Sequence, residues 1–229
     1  MNRCADYIAH YEADAEHFDY FNNPDETVHY YEILFRKFIR RVAGRSIAVL
    51  DIGSGSGWTK ELTHEQIFFV DLARKNLLAL KPNSTGAVLA DACYLPFKTG
   101  SVESVIASEI VEHINYPESA AREILRVLRK GGKAIVSTPY KERIRYALCI
   151  HCNQVTPMNA HLHSFDKASL LSLFPNTRRK SYLFGSKVLV ILRSTRLFYR
   201  LPIFFWRLVD RPLTSLLDKA QHIVIVVEK

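Results

Sequence analysis

Apolar positions along the chain switch between two periods. In residues 26–43 (ETVHYYEILFRKFIRRVA), Tyr31, Leu34, Phe35, Phe38 and Val42 recur at spacings of three and four, which predicts an amphipathic helix. Gly44 is placed to cap it. Five short, nearly continuous apolar runs follow: SIAVLDIG, EQIFFVDL (65–72), TGAVLADA (85–92), VESVIASEI (102–110) and GKAIVSTP (132–139). Between the fourth and fifth lies PESAAREILRVLRKGG. Pro117 suits a helix start, Ile124, Leu125 and Leu128 form its apolar stripe, and Gly131–Gly132 mark its stop. SFDKASLLSLF (164–174) predicts another helix, capped by Ser164 or Asp166, and RKSYLFGS (179–186) and HIVIVVEK (222–229) predict two closing strands. Apolar strands alternating with helices imply an α/β fold, its parallel sheet covered on both faces.

Composition narrows the class. At 229 residues the chain is long enough for a core without disulfide staples, and four cysteines (Cys4, Cys93, Cys149, Cys152) are too few and too uneven for a disulfide scaffold. The first residues lack the basic and apolar regions of a signal peptide. No apolar stretch reaches the roughly 18 residues of a spanning helix. The expectation is an intracellular protein, soluble or peripherally bound. The net charge of +8 is unevenly placed: residues 1–32 hold eight acids and one base, residues 175–220 ten bases and two acids. That asymmetry suits either a solvated face or a surface for an anionic partner.

The strongest chemical signal is Val49-Leu50-Asp51-Ile52-Gly53-Ser54-Gly55-Ser56-Gly57. A strand runs into alternate glycines, which let the backbone turn sharply and approach a ligand. Trp58 occupies the place where a dinucleotide fingerprint needs glycine, and the G-K-[S/T] of a phosphate loop is absent. Asp51 beside the loop suits a cationic ligand. Asp71 ends the second strand, where a carboxylate commonly binds ribose hydroxyls. Asp91 ends the third, and the fourth runs into Ser108-Glu109-Ile110-Val111-Glu112-His113. Polar groups thus end four successive strands, at the expected ligand crevice.

VLDIGSGSG, FFVDLARKNLL, ADACYLPF, SVESVIASEIVEHI and ILRVLRKGGKAIVSTP, spanning about residues 46–140, together resemble class I S-adenosylmethionine-dependent methyltransferases, of the small-molecule type found in ubiquinone and menaquinone biosynthesis. The resemblance implies a Rossmann-like, mostly parallel sheet of seven strands with helices on both faces and an antiparallel last strand. It implies S-adenosylmethionine as cofactor. Asp51, Gly53, Ser54, Gly55 and Gly57 would line its methionine part, Asp71 would hold the ribose, and Leu72 would lie against the adenine. Asp91 and Ala92 would meet the adenine edge, with Ser108 and Glu109 as the floor. Glu103 and Arg129-Lys130 depart from the family's usual residues, away from the cofactor. Methyl transfer needs positioning above all, and a base only for a protonated acceptor. His113 is the first candidate base and Glu112 the second; either is equally at home in a structural role.

Cys149-Ile150-His151-Cys152, then His161-Leu162-His163, offers a Cys₂His₂ donor set for zinc from Cys149, Cys152, His161 and His163. The alternatives are buried thiols with polar histidines, or His161 or His163 in the acceptor pocket. Residues 187–220 exceed what the basic fold needs. Arg193, Arg196, Arg200, Arg207 and Arg211 would share one helical face, although Pro202 must kink or break the helix, and Leu197, Phe198, Phe204, Phe205, Trp206 and Leu208 add apolar bulk. That pattern suits an interfacial membrane helix, a lid over a lipidic acceptor, or a plain helical cap. No RNA-binding module is readable.

The chain is read as a single domain. Residues 1–44 form an N-terminal helical lid, 45–140 the cofactor-binding core and 141–163 a Cys/His loop. Residues 164–186 form a helix and strand, 187–220 the basic-aromatic insertion and 221–229 the last strand. The leading expectation is a cytoplasmic methyltransferase, peripheral on the inner face of the membrane, acting on a small-molecule or lipid-linked acceptor. An RNA methyltransferase using the basic segment is the second reading, and a non-catalytic S-adenosylmethionine-binding regulator the third.

Overall fold

The computed structural model describes residues 26–44, 46–62, 66–148 and 155–229. The acidic N-terminal segment with Tyr7, Tyr11, Phe18, Tyr20 and Phe21, and the thiols of Cys4, Cys149 and Cys152, lie outside these residues. Strands β1 (Ala48–Ile52), β2 (Gln66–Asp71), β3 (Gly86–Leu89), β4 (Val102–Ser108), β5 (Leu128–Pro139), β8 (Arg178–Ser186) and β9 (Ala220–Glu228) form one sheet in the order 3-2-1-4-5-9-8. Pairs β1–β2, β1–β4, β2–β3 and β4–β5 are parallel. β9 runs antiparallel to both neighbours, Ile135 facing Val226 and Tyr182 facing Val224. The sheet is therefore seven-stranded and mostly parallel, with its last strand reversed, as the sequence predicts.

The strands carry continuous apolar runs at their centres because both faces of the sheet are covered. Successive residues go to opposite sides. Val49, Ile106 and Val224 join one core; Leu50, Val105, Ala107, Ile223 and Ile225 join the other. The first core is covered by α1 (Glu26–Ala43), through Leu34, Phe35, Phe38 and Ile39. The second is covered by α3 (Pro117–Val127) and α4 (Lys167–Ser172), through Ile124 and Leu170. Asp166 caps α4 through a capping box with Ser169. α3 ends at Val127, short of Gly131–Gly132, because Leu128 already adopts an extended backbone and starts β5. A short helix, α2 (Arg74–Leu80), links β2 to β3.

Two regions differ from the sequence reading. Within the 141–163 segment two short strands, β6 (Tyr146–Leu148) and β7 (Val155–Pro157), pair antiparallel, which periodicity did not reveal. The insertion is not one helix with an arginine face. It breaks into α5 (Lys187–Ile191), α6 (Thr195–Phe198) and α7 (Ile203–Leu217). Arg193 takes a left-handed backbone (φ 53°) between the first two, and Pro202 precedes the third. Arg207 turns inward, onto the rings of Phe38 and Phe184. Among the described residues no helix is long and apolar enough to cross a membrane.

Candidate active site

The carboxyl ends of β1, β2 and β4 open into one cavity. β1 delivers the chain to Gly53, whose N–H donates to Val70 O at 2.8 Å. A Cβ on Gly53 would lie 2.3 Å from Ile110 Cδ1, so only glycine lets that side chain close the cavity floor. A Cβ on Gly55 would meet nothing within 4 Å, and Gly55 borders the cavity with its backbone bare. Asp71 ties the loop to the second strand. Its Oδ2 accepts from Gly55 N–H at 3.0 Å and its Oδ1 from Ala73 N–H at 2.8 Å. Burial holds its carboxyl above the usual carboxylate range despite these bonds.

Of the positions singled out in sequence, Gly53, Gly55, Asp71, Leu72, Ala92, Glu109 and His113 line this cavity. Asp51, Ser54, Gly57, Asp91, Ser108 and Glu112 are not among the residues that line it. Asp51 is 2% exposed and accepts a hydrogen bond from the Thr59 hydroxyl. Asp91 accepts from Cys93 N–H at 2.8 Å, and the Ser108 and Ser137 hydroxyls meet at 2.9 Å. Ile52, Val70, Ala73, Asn76, Ala90 and Ile110 also line the cavity, and the sequence reading did not single them out. Most neighbour a motif residue along a strand end; Asn76 lies one turn into α2, and only the helix's placement brings it in.

Burial pushes the Asp51 carboxyl up to about 7, against the bond from Thr59 and with the nearby Asp71 charge adding to it. The folded protein therefore keeps a proton at Asp51 that the unfolded chain releases near pH 4. Stability falls as pH rises from about 4 to about 7 and levels off above, by up to about 4 kcal/mol from this residue. Urea titrations of native protein and Asp51→Asn across that range check it, the variant showing the shallower decline.

Glu109 caps β4 with a left-handed backbone (φ 55°). Its Oε1 accepts from the Ser137 hydroxyl at 2.7 Å, and its Oε2 lies 2.9 Å from His222 Nε2. The other ring nitrogen of His222 meets the Tyr31 hydroxyl at 2.5 Å. Burial opposes the Glu109 charge, but His222 and the Ser137 bond outweigh it and hold the carboxyl below its usual value. Glu112 behaves oppositely. It is 1% exposed, and burial first, then the Glu109 charge, keeps its carboxyl well above the usual range.

His113 meets His161 edge-on, ring centroids 4.7 Å apart, and His161 Nδ1 pairs with Glu142. One ligand atom each from Glu112, His113 and His161 lies within 4.8 Å of the others, a donor set that could hold one divalent cation. Of the zinc donors expected from sequence, only His161 belongs to this group. His163 instead bonds Ile114 O through Nε2 at 2.9 Å, and Cys149 and Cys152 fall outside the described residues.

Residues 50–136 match the Methyltransferase domain family. An uncharacterized methyltransferase from Mycolicibacterium gilvum is 33% identical over 100 residues, covering 41% of this chain and 39% of that protein. An uncharacterized protein from Methanocaldococcus jannaschii is 25% identical over 199 residues, 86% of this chain and 84% of its own. The crystal structure of a SAM-dependent methyltransferase from Thermotoga maritima superposes with a TM-score of 0.63 at 16% identity, covering 98% of this chain and all of that one. The last likeness is one of fold. Residues 50–136 are thus similar in sequence to a methyltransferase domain, and the chain as a whole shares its fold with a SAM-dependent methyltransferase.

Proposed function

We propose that the protein transfers a methyl group from S-adenosylmethionine to a small-molecule or lipid-linked acceptor. The observation that carries this is the bracket of Gly55 and Asp71. A bare backbone and a half-buried carboxylate line one cavity; Gly55 and Ala73 N–H, with Leu72 N–H and the Asn76 side chain, hold the carboxylate there, which supports it as the acceptor for a ribose hydroxyl. Leu72, Ala92 and Ile110 give that cavity an apolar wall for an adenine ring. When bound, the cofactor supplies an electrophilic methyl: an acceptor lone pair forms the new bond as the carbon–sulfur bond breaks and its electrons remain on sulfur. The chain's own part is to position the acceptor, exclude water and take up any released proton. His113 lines the cavity and touches His161, which supports it as the group that would take that proton.

The test is incubation with methyl-labelled S-adenosylmethionine and a fractionated cell extract. Label in the small-molecule or lipid fraction, absent with Asp71→Ala, is the expected result. Label in RNA, or in no fraction, overturns the reading in favour of the RNA or non-catalytic alternative. For an acceptor that loses a proton, His113→Gln should lower kcat about 100-fold or more with cofactor affinity unchanged within about twofold. Single-turnover kinetics with matching calorimetry checks this.

The outer face of α7 favours work at a membrane surface. Ile203, Trp206, Asp210 and Thr214 are buried on its inner side, while Phe204, Phe205, Leu208, Val209, Leu216 and Leu217 are exposed. Leu197, Ile191 and Leu192 of the same insertion are exposed as well, and so are Arg193, Arg196, Arg200 and Arg211. An apolar face with exposed cations in the same insertion fits an anionic lipid surface. Cosedimentation with phosphatidylglycerol liposomes should weaken about tenfold or more in a Phe204→Ser/Phe205→Ser/Leu208→Ser variant. Equal binding by the variant would leave the patch without this role.

A further inference from the structure

A second cleft adjoins the cofactor cavity, and its unmatched charges are all positive. Glu109 lines both. His113 of the first touches His161 of the second, so the two spaces meet along Glu109 and this ring pair. The floor of the second cleft is Tyr140, Gln221 and His222, where β5 and β9 end side by side. Its wall carries Arg143 and Arg145, from the segment leading into β6, and Lys187, the first residue of α5.

The acids of this cleft already have partners. Glu109 is held by His222 and Ser137, and Glu142 by His161. Among the described residues, Arg143, Arg145 and Lys187 make no ion pair and no side-chain hydrogen bond. Lys187 is half-buried, which makes a missing counter-charge costlier than at an exposed lysine. Three such cations on one concave wall, beside the methyl donor's cavity, suit a bound anion.

We propose that this cleft is the acceptor subsite and takes acceptors bearing a carboxylate or phosphate group, held by Arg143, Arg145 and Lys187 while the reacting atom lies toward Glu109. The inference rests on the methyltransferase reading and adds its substrate class. Guanidinium groups suit it, since each matches two oxygens of a carboxylate or phosphate at once. The cation wall then selects by charge. An acid should bind where its amide does not, and a phosphate monoester where its parent alcohol does not. His222 and Glu109, locked together at the junction, would turn a bound anion's other end toward the cofactor cavity.

The experiment titrates two probes into the full chain, with and without S-adenosylhomocysteine: inorganic phosphate, and phosphatidylglycerol vesicles. It compares native protein with Arg143→Ala/Arg145→Ala, both sites exposed so that folding is not at risk. Phosphate should bind the native protein and bind the variant about tenfold more weakly or worse, with S-adenosylhomocysteine affinity equal in both. If the variant loses phosphate binding but not vesicle binding, the acceptor is a free anion. If it loses vesicle binding as well, a lipid headgroup enters the cleft. Phosphate binding equal in native and variant protein, or none to the native protein, overturns the proposal. Absence of S-adenosylhomocysteine binding alone would instead count against the methyltransferase reading, and the anion result would stand by itself.

Discussion

Replacing Asp71 with alanine weakens S-adenosylmethionine binding by about 100-fold or more. The carboxylate does two things at once. It lines the cavity as a hydrogen-bond acceptor, and it pins the glycine loop through Gly55 N–H while holding the start of α2 through Ala73 N–H. Charge-assisted hydrogen bonds to two ribose hydroxyls contribute about 3 kcal/mol together, which is about 100-fold in affinity. Releasing the loop adds to that loss, because Gly55 would no longer be held at the cavity edge. Asp71→Asn separates the two contributions. It keeps one acceptor oxygen and loses the charge, so its affinity should fall between native and alanine. Calorimetric titration of all three proteins measures this, with thermal melts to show that each is folded. Alanine within about threefold of native would mean that the cavity binds its ligand without the ribose anchor.

Replacing Asp210 with alanine costs about 3–5 kcal/mol and lowers the melting temperature by on the order of 10 °C. Asp210 is fully buried on the inner side of α7. Its Oδ1 accepts from Ser186 N–H at 2.6 Å, its Oδ2 pairs with Arg207, and Arg207 donates to Leu183 O at 2.8 Å. The insertion is thereby fastened to β8 through two backbone groups, Ser186 N–H and Leu183 O, and the ion pair within α7 holds the two anchoring side chains together. Burial raises the Asp210 carboxyl and lowers the Arg207 guanidinium, so each charge depends on the other. Removing the acid strands the cation and leaves the Ser186 N–H without an acceptor. A double variant, Asp210→Leu with Arg207→Met, should recover part of the loss, since the desolvation penalty of both charges disappears together while Ser186 N–H stays without its acceptor. A single variant that melts within about 2 °C of native would show that the pair does not fasten the insertion.

The strands that build the cavity were legible because a doubly covered parallel sheet writes itself as continuous apolar runs. Asp71 and the glycine loop were legible because their roles depend on position at a strand end. Partners far apart in the chain were not. Tyr31 and His222 stand 191 residues apart, and nothing local in ETVHYYEILF says that one hydroxyl reaches the last strand. Arg207 shows the same limit. Its spacing from Arg193, Arg196 and Arg200 matched a helical face, but the chain broke at Arg193 and Pro202, and a buried acid three residues on drew the guanidinium inward. The cations of the second cleft come from two segments whose meeting only the sheet order creates.

The central claim is that the cavity at the ends of β1, β2 and β4 holds S-adenosylmethionine. Calorimetric titration of the native protein with S-adenosylmethionine and with S-adenosylhomocysteine tests it most directly. The account predicts one site per chain with micromolar affinity for both. No heat of binding with either, from protein shown to be folded, would contradict it.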